Sequence, residues 1–313
     1  MFIFEHKYTA DFDLEHPPRP EHLSFNARGR LITCRRPLVM GILNATPDSF
    51  YDGGRHLSLD AALWRAEEML REGADCIDIG GASSRPGAEE VSLDTERGRV
   101  LPIVEALAQR FPEALLSVDT YRSAVASEAL EAGAHILNDI SAGRFDPPIF
   151  EVAARAGAPM VLMHMQGTPQ TMQLAPQYAD PVVDIVDFFL ERVQAARAAG
   201  VVDVLLDPGF GFGKTIAHNF ELLRRLSDFR LLGLPLLVGL SRKSFVYKTL
   251  GADAGRSLNG TSVLHALALE RGANVLRVHD VREAREAILL VEATGLPEEG
   301  GASFFPTKQN SDS

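Results

Sequence analysis

The chain has 313 residues, 46% of them hydrophobic, and a formal net charge of -11. That length and apolar content suit one large globular domain with tails, or two smaller ones. The acidity argues against a non-specific nucleic-acid binder, which needs clustered Lys and Arg for phosphate contacts. Two cysteines, Cys34 and Cys76, are too few for a zinc quartet or a disulfide framework, and both are expected as thiols in a reducing cytoplasm, Cys76 buried in a strand. The start, Met1-Phe2-Ile3-Phe4, meets Glu5, His6 and Lys7 too soon for a signal peptide. No run approaches the ~18 apolar residues of a membrane span, so a soluble cytoplasmic protein is expected.

In chain order, residues 1–37 stand apart as an N-terminal extension, in which Phe25-Asn26-Ala27-Arg28-Gly29-Arg30-Leu31-Ile32 reads as a hairpin covering the bottom of the domain that follows. From residue 38, short apolar runs alternate with longer segments of helical period. Strands are expected at 38–44, 76–81, 115–120, 135–141, 160–165, 203–207, 236–241 and 274–279. Most are continuous apolar runs, as parallel strands covered on both faces should be. Between them, Leu59, Leu63, Ala66 and Leu70 share one helical face, with Gly73 as a stop. Val281, Ala284, Ile288 and Val291 repeat the pattern, with Asp280 and Glu283 at capping-box spacing. Eight strand–helix units over residues 38–295 predict an α/β fold, a closed (β/α)8 TIM barrel. A doubly wound open sheet is the alternative, but no dinucleotide fingerprint accompanies it. Residues 296–313, rich in Gly, Glu, Ser and Lys, are expected to be disordered.

In such barrels the chemistry gathers at the C-terminal ends of the strands. That rim is polar here: Asn44, Asp119, Asn138, His164, Asp207, Lys243, Arg277 and His279. Singly, each has an ordinary structural explanation: an Asp after a strand is often a helix N-cap, and a His in an apolar strand is more often a satisfied core residue than a ligand. Together they mark the mouth as a site. Asp119, Asn138, Asp207 and Lys243, from four strands, suit a planar heterocycle, because a carboxylate accepts two parallel N–H bonds. Such charge-assisted bonds are worth on the order of 1.5–3 kcal/mol each. Arg85, in the Gly/Ser/Pro loop 80–88, and Arg277 with His279 suit an anion.

The segment Leu206-Asp207-Pro208-Gly209-Phe210-Gly211-Phe212-Gly213-Lys214-Thr215 looks like a nucleotide loop but fails the test. Gly-x-x-x-x-Gly-Lys-Ser/Thr would need glycine at Pro208, and Gly-x-Gly-x-x-Gly would need it at Lys214. Its working parts are read as Asp207 at the strand end and Phe212 beyond it, with Lys214 the least favoured.

With these segments in order, the chain resembles the dihydropteroate synthase family over about residues 37–293. The motifs are VMGILNATPDSFYDGG (39–54), DIGGASSRPGA (78–88), SVDT (117–120), LNDISAG (137–143), LMHMQGTPQTMQ (162–173), DPGFGFGK (207–214), GLSRKSF (239–245) and RVHDV (277–281). The resemblance implies a TIM barrel that condenses 6-hydroxymethyl-7,8-dihydropterin diphosphate with para-aminobenzoate, with Mg2+ as cofactor. The products would be dihydropteroate and diphosphate, and sulfonamides would target the enzyme. Carried over by position, Asp119, Asn138, Ile140, Met163, Asp207, Phe212, Gly239, Lys243 and Arg277 would hold the pterin, with Asp119, Lys243 and Arg277 catalytic. Asn44, Arg85, Arg277 and His279 would take the diphosphate, Asn44 also serving the metal. Ser84, Arg85, Pro86, Phe212, Lys243 and Ser244 would serve aminobenzoate. A homodimer through the late helices is implied as well, and partners beyond the small-molecule substrates, such as nucleic acid or membrane, are not. Ala45, Ala82 and Ser84 depart from the usual valine, glutamate and threonine, as does the segment LNGTSVLHALAL (258–269) from its usual form. These departures bear on aminobenzoate binding more than on the reaction. The competing readings are a pterin-binding methyltransferase barrel and a non-catalytic pterin-binding barrel.

Overall fold

The computed structural model describes residues 23–34, 36–45, 55–82 and 90–295. Two short strands, β1 (Leu23–Ala27) and β2 (Arg30–Cys34), pair antiparallel around Arg28 and Gly29, both at positive φ (55° and 89°), as a two-residue hairpin turn requires. Eight parallel strands follow: β3 (Leu38–Asn44), β4 (Cys76–Gly80), β5 (Leu115–Asp119), β6 (Ile136–Asp139), β7 (Met160–Met163), β8 (Val204–Asp207), β9 (Leu237–Val238) and β10 (Val275–Val278). They neighbour one another in chain order from β3 to β8, and β3 continues through β10 to β9. A parallel bridge between Leu206 and Leu236, with Leu206 N donating to Pro235 O (2.8 Å), joins β8 to the start of β9 and closes the ring. The open doubly wound alternative is thereby set aside. Several strands stop one to three residues before their predicted ends, so Thr120, Ser141, Met165, Ser241 and His279 lie just beyond the strand ends.

The outer layer comprises α1 (Arg55–Glu72), α2 (Leu93–Arg110), α3 (Ser123–Glu131), α4 (Ile149–Ala156), α5 (Pro181–Ala198), α6 (Ile216–Arg224), α7 (Ser244–Thr249), α8 (Leu258–Glu270) and α9 (Val281–Gly295). Strand alternation explains both cores. Outward residues such as Ile77, Ile79, Leu116, Val118 and Leu162 meet the helices in one large cluster. Inward residues near the strand starts, Met40, Cys76, Leu115, Ile136, Val161, Leu205, Leu237 and Val275, form a second cluster, which Phe25 and Ala27 of the hairpin complete. The hairpin thus covers the barrel bottom. Its grip is also polar: Arg28 Nη1 donates to Leu130 O (2.5 Å) and Ala134 O (2.8 Å), and Arg30 Nη2 donates to Glu113 O (3.0 Å). Residues 296–313, expected as a tail, lie outside the described residues, as do 1–22. Among the described residues, no helix is long and apolar enough to cross a membrane.

Two residues further along five of these strands the inward face turns polar. Asp78, Ser117, Asn138, Asp207 and Arg277 follow Cys76, Leu115, Ile136, Leu205 and Val275 at the period of two. The barrel therefore has an apolar floor with a charged layer directly above it.

Candidate active site

The centre of that charged layer is Arg277. Its Nε donates to Asp78 Oδ2 (2.6 Å) and its Nη2 to Asp119 Oδ2 (2.7 Å), so β10 is tied to β4 and β5 through one guanidinium. Asn138 Nδ2 donates to the same Asp78 oxygen (3.0 Å). Two carboxylates against one guanidinium leave one net negative charge, with the Asp78 side chain fully buried and that of Asp119 only 13% exposed. Burial pushes the Asp119 carboxyl up to about 7; Arg277 opposes this, while Asp78, Glu96 and Asp139 add to it. Asp78 was not among the residues singled out from the sequence. Its signal was a lone carboxylate inside the apolar run Cys76-Ile77-Asp78-Ile79, which burial obliges to find a partner. Asp78 Oδ1 and Ser117 Oγ, on residues paired in register, are buried with no hydrogen-bond partner among the described residues.

The second centre is Asp207 with Lys243. Asp207 Oδ1 accepts from Gly209 N (2.8 Å), which leaves Oδ2 without a partner among the described residues. Burial raises its pKa, against the pull of Lys243. Lys243 is not at a strand end; it is the N-cap residue of α7, and its ammonium donates to Phe210 O and sits 4.2 Å from the centre of the Phe212 ring. Burial lowers Lys243 to about 8, with Asp207 opposing.

Lys214 organises the glycine loop between these groups. Buried to 3% exposure, its Nζ donates to Gly209 O (2.9 Å) and Phe212 O (3.0 Å) and lies 3.0 Å from His164 Nδ1. His164 thus turns away from the mouth to pack edge-on against Phe188, as a core histidine. Burial, and then Lys214, push its pKa well down. Glycine is obligatory in this loop. At Gly209, φ +69°, a Cβ would fall onto the His164 carbonyl oxygen, and at Gly213, φ +63°, it would stand 2.7 Å from Gln166 O. Tyr178 OH donates to Gly213 O (2.7 Å) and Gln173 Nε2 to Gly211 O (2.6 Å), so the segment after β7 braces the loop.

An apolar wall completes the mouth. Ile140, Met163, Met165 and Met172 form one buried cluster against which Tyr121 and Phe212 pack; of these, Tyr121, Met165 and Met172 were not anticipated. Gly239 lies beside Lys243, where a Cβ would stand at ordinary contact distance, 3.9 Å, from its Nζ. On the opposite rim, Asn44 ends β3 beside Gly80, and His279 Nδ1 lies 3.0 Å from Ser241 Oγ. Ser244, the first residue of α7, is exposed. The expected ligands Ser84, Arg85 and Pro86 lie outside the described residues. Both edges of that segment are anchored: Arg99 Nη1 donates to Gly81 O (2.9 Å), and Arg122 Nη2 to Val91 O (2.7 Å).

Among the described residues no group of three His, Cys, Asp or Glu side chains could hold a metal. Asn44 offers a hard amide oxygen at the rim, which fits Mg2+, an ion that commonly takes few protein ligands and fills its shell with water and substrate phosphate.

Comparison with known proteins matches residues 40–279 to the family described as pterin binding enzyme. Dihydropteroate synthase of Escherichia coli K12 is 48% identical over 270 residues, covering 86% of this chain and 95% of that protein. The crystal structure of Yersinia pestis dihydropteroate synthase with a sulfonamide drug complex superposes with a TM-score of 0.82 at 51% identity, covering 87% of this chain and 99% of that one. The Xanthomonas albilineans dihydropteroate synthase with 4-aminobenzoic acid gives a TM-score of 0.82 at 41% identity, covering 90% and 100%.

Proposed function

The chain belongs to the pterin-binding enzymes and, among them, to the dihydropteroate synthases, transferases of folate biosynthesis; from that premise we propose how its own residues perform the condensation. The substrates are 6-hydroxymethyl-7,8-dihydropterin diphosphate and para-aminobenzoate, the latter in keeping with the 4-aminobenzoic acid of the Xanthomonas albilineans structure. The observation that carries the reading is the charged layer itself: Arg277 held between Asp78 and Asp119, with Asp207 and Lys243 facing each other electrostatically and Lys243 set against the Phe212 ring.

The free oxygen of Asp207 accepts from the amino-bearing edge of the pterin, Asn138 adds an amide, and Lys243 donates to a ring acceptor. Ile140, Met163 and Phe212 bound the flat ring, and Gly239 leaves it space. The methylene carbon–oxygen bond ionises, its electron pair leaving with the diphosphate. The cation left on the methylene forms next to Asp119, within a layer of net negative charge already in place, so little reorganisation is needed. The neutral arylamine nitrogen then forms the new carbon–nitrogen bond and afterwards loses a proton; no protein nucleophile takes part. Ser84, Arg85, Pro86 and Ser244 serve the arylamine. Arg85, His279, Asn44 and Nη1 of Arg277, which has no partner among the described residues, receive the diphosphate. Held by Asn44, Mg2+ would neutralise charge on that leaving group.

A homodimer through the late helices is supported by the exposed apolar residues Leu250, Val263, Leu267, Leu289 and Leu290. A cytoplasmic location is supported by Cys76, a buried free thiol. The test is a coupled assay. Diphosphate should be released only with Mg2+ present, and dihydropteroate should form once aminobenzoate is added. Intact pterin binding without turnover would overturn the enzyme reading.

A further inference from the structure

Two local rules are broken side by side at the rim, and one ion pair answers both. Arg242 adopts φ 55°, a left-handed conformation that a residue without glycine's freedom seldom takes. Asp280 stands immediately before α9, where the sequence predicts a capping carboxylate, yet it does not cap. Its two oxygens accept instead from Arg242 Nη2 (2.6 Å) and Nε (2.9 Å), a two-pronged pair that fixes the guanidinium plane.

The neighbouring residues are coupled in the same sense. His279 N donates to Ser241 Oγ (3.2 Å), and Arg242 N donates to Oγ1 of the buried Thr261 on α8 (3.2 Å). Residues 241 and 242 after β9 are thus bonded one-to-one to 279 and 280 after β10. Lys243 follows directly, its N donating to Leu240 O (3.3 Å), its ammonium turned to Phe210 O. Local rules broken together around a site mark geometry kept for that site.

We propose that Asp280 is a positioning residue: by gripping Arg242 it locks the Ser241–Lys243 turn, so that Lys243 and His279 are presented to the barrel mouth as one unit. This rests on the reading of Lys243 as a cation of the site. Asp280 itself touches no substrate. Its titratable neighbours are Arg242 and the buried His265, whose pKa burial lowers to about 4, with Glu283 also facing Arg242, whereas Lys243 faces Asp207, Arg277 and Asp119.

The experiment compares Asp280→Asn and Asp280→Glu with the unaltered enzyme in pH profiles of kcat/KM, alongside thermal melts. In the unaltered enzyme the basic limb should lie at about 8, where Lys243 loses its proton. Asp280→Asn should lose on the order of 10-fold to 100-fold in kcat/KM. Its basic limb should move upward as a loosened Lys243 gains water, and Asp280→Glu should restore part of both. A basic limb unmoved in Asp280→Asn, whether the rate is unchanged or falls only in step with melting temperature, overturns the proposal. A missing limb in the unaltered enzyme overturns the role of Lys243 and this proposal with it. If Asp280→Asn folds poorly, Arg242→Lys, which keeps the charge but loses the fork, is read by the same displacement.

Discussion

Asp78 offers a direct test of the charged layer, because it never needs to touch substrate to matter. It is fully buried, accepts from both Arg277 Nε (2.6 Å) and Asn138 Nδ2 (3.0 Å), and stands beside Asp119. Asp78→Ala removes one partner of a buried ion pair, which costs about 3–5 kcal/mol. At roughly 2–4 °C per kcal/mol for a domain this large, the melting temperature should fall by roughly 6–20 °C. Asp78→Asn is gentler, since its amide oxygen still accepts from Arg277, but it removes a negative charge. That charge raises the Asp119 pKa, so without it Asp119 should ionise at lower pH. The sign follows: Asp119 must be ionised to face a cation, so activity rises with pH through its pKa. In the unaltered enzyme the acidic limb of kcat/KM should lie at about 7, and in Asp78→Asn it should move down. At the plateau the rate should still fall on the order of 10-fold to 100-fold, because the layer has lost its net negative charge. An acidic limb that stays at about 7 in Asp78→Asn, or an Asp78→Ala protein with unaltered melting temperature, would refute the reasoning.

Two further substitutions probe the second centre. Asp207→Asn should weaken pterin binding, since the charge-assisted pair on its free oxygen becomes a neutral one, a loss of about 1–2 kcal/mol or roughly tenfold; unchanged affinity by titration calorimetry would mean the ring lies elsewhere. Lys214→Met leaves the carbonyls of Gly209 and Phe212 without their buried donor, at about 1–3 kcal/mol each, partly offset because no charge is buried any longer. It should lower the melting temperature and, by releasing Phe212, raise KM for aminobenzoate; a melt identical to the unaltered enzyme would show the loop stands without it.

Much of this site was legible before any coordinates. Asp119, Asn138, Asp207 and Arg277 lie toward the same end of four parallel strands, β5, β6, β8 and β10, so strand direction alone gathers them. Lys214 was discounted by counting glycines, and its burial as a loop clamp explains why a lysine stands there at all. His164 followed the ordinary expectation for a histidine in an apolar strand and left the rim for the core. What the pattern did not reveal was partnership. A capping box was read at Asp280 from spacing, but the local bond lost to a two-pronged bond from Arg242, distant in sequence and adjacent in space. Asp78 went unremarked because its meaning lies in residues 60 and 199 positions away.

The sequence by itself determined the eightfold alternation of strand and helix, the apolar floor beneath polar strand ends, and the family of the chain. The first two rest on the periodicities of two and 3.6, which are local properties of the backbone; the family rests on motifs met in order along the chain. Only the tertiary structure decided which carboxylate faces which cation. Closing the ring sets β10 beside β3 and carries Arg277 across to β4 and β5, and there, away from water, each buried charge must find a partner within hydrogen-bonding distance. That requirement acts through space and leaves no period in the chain to read.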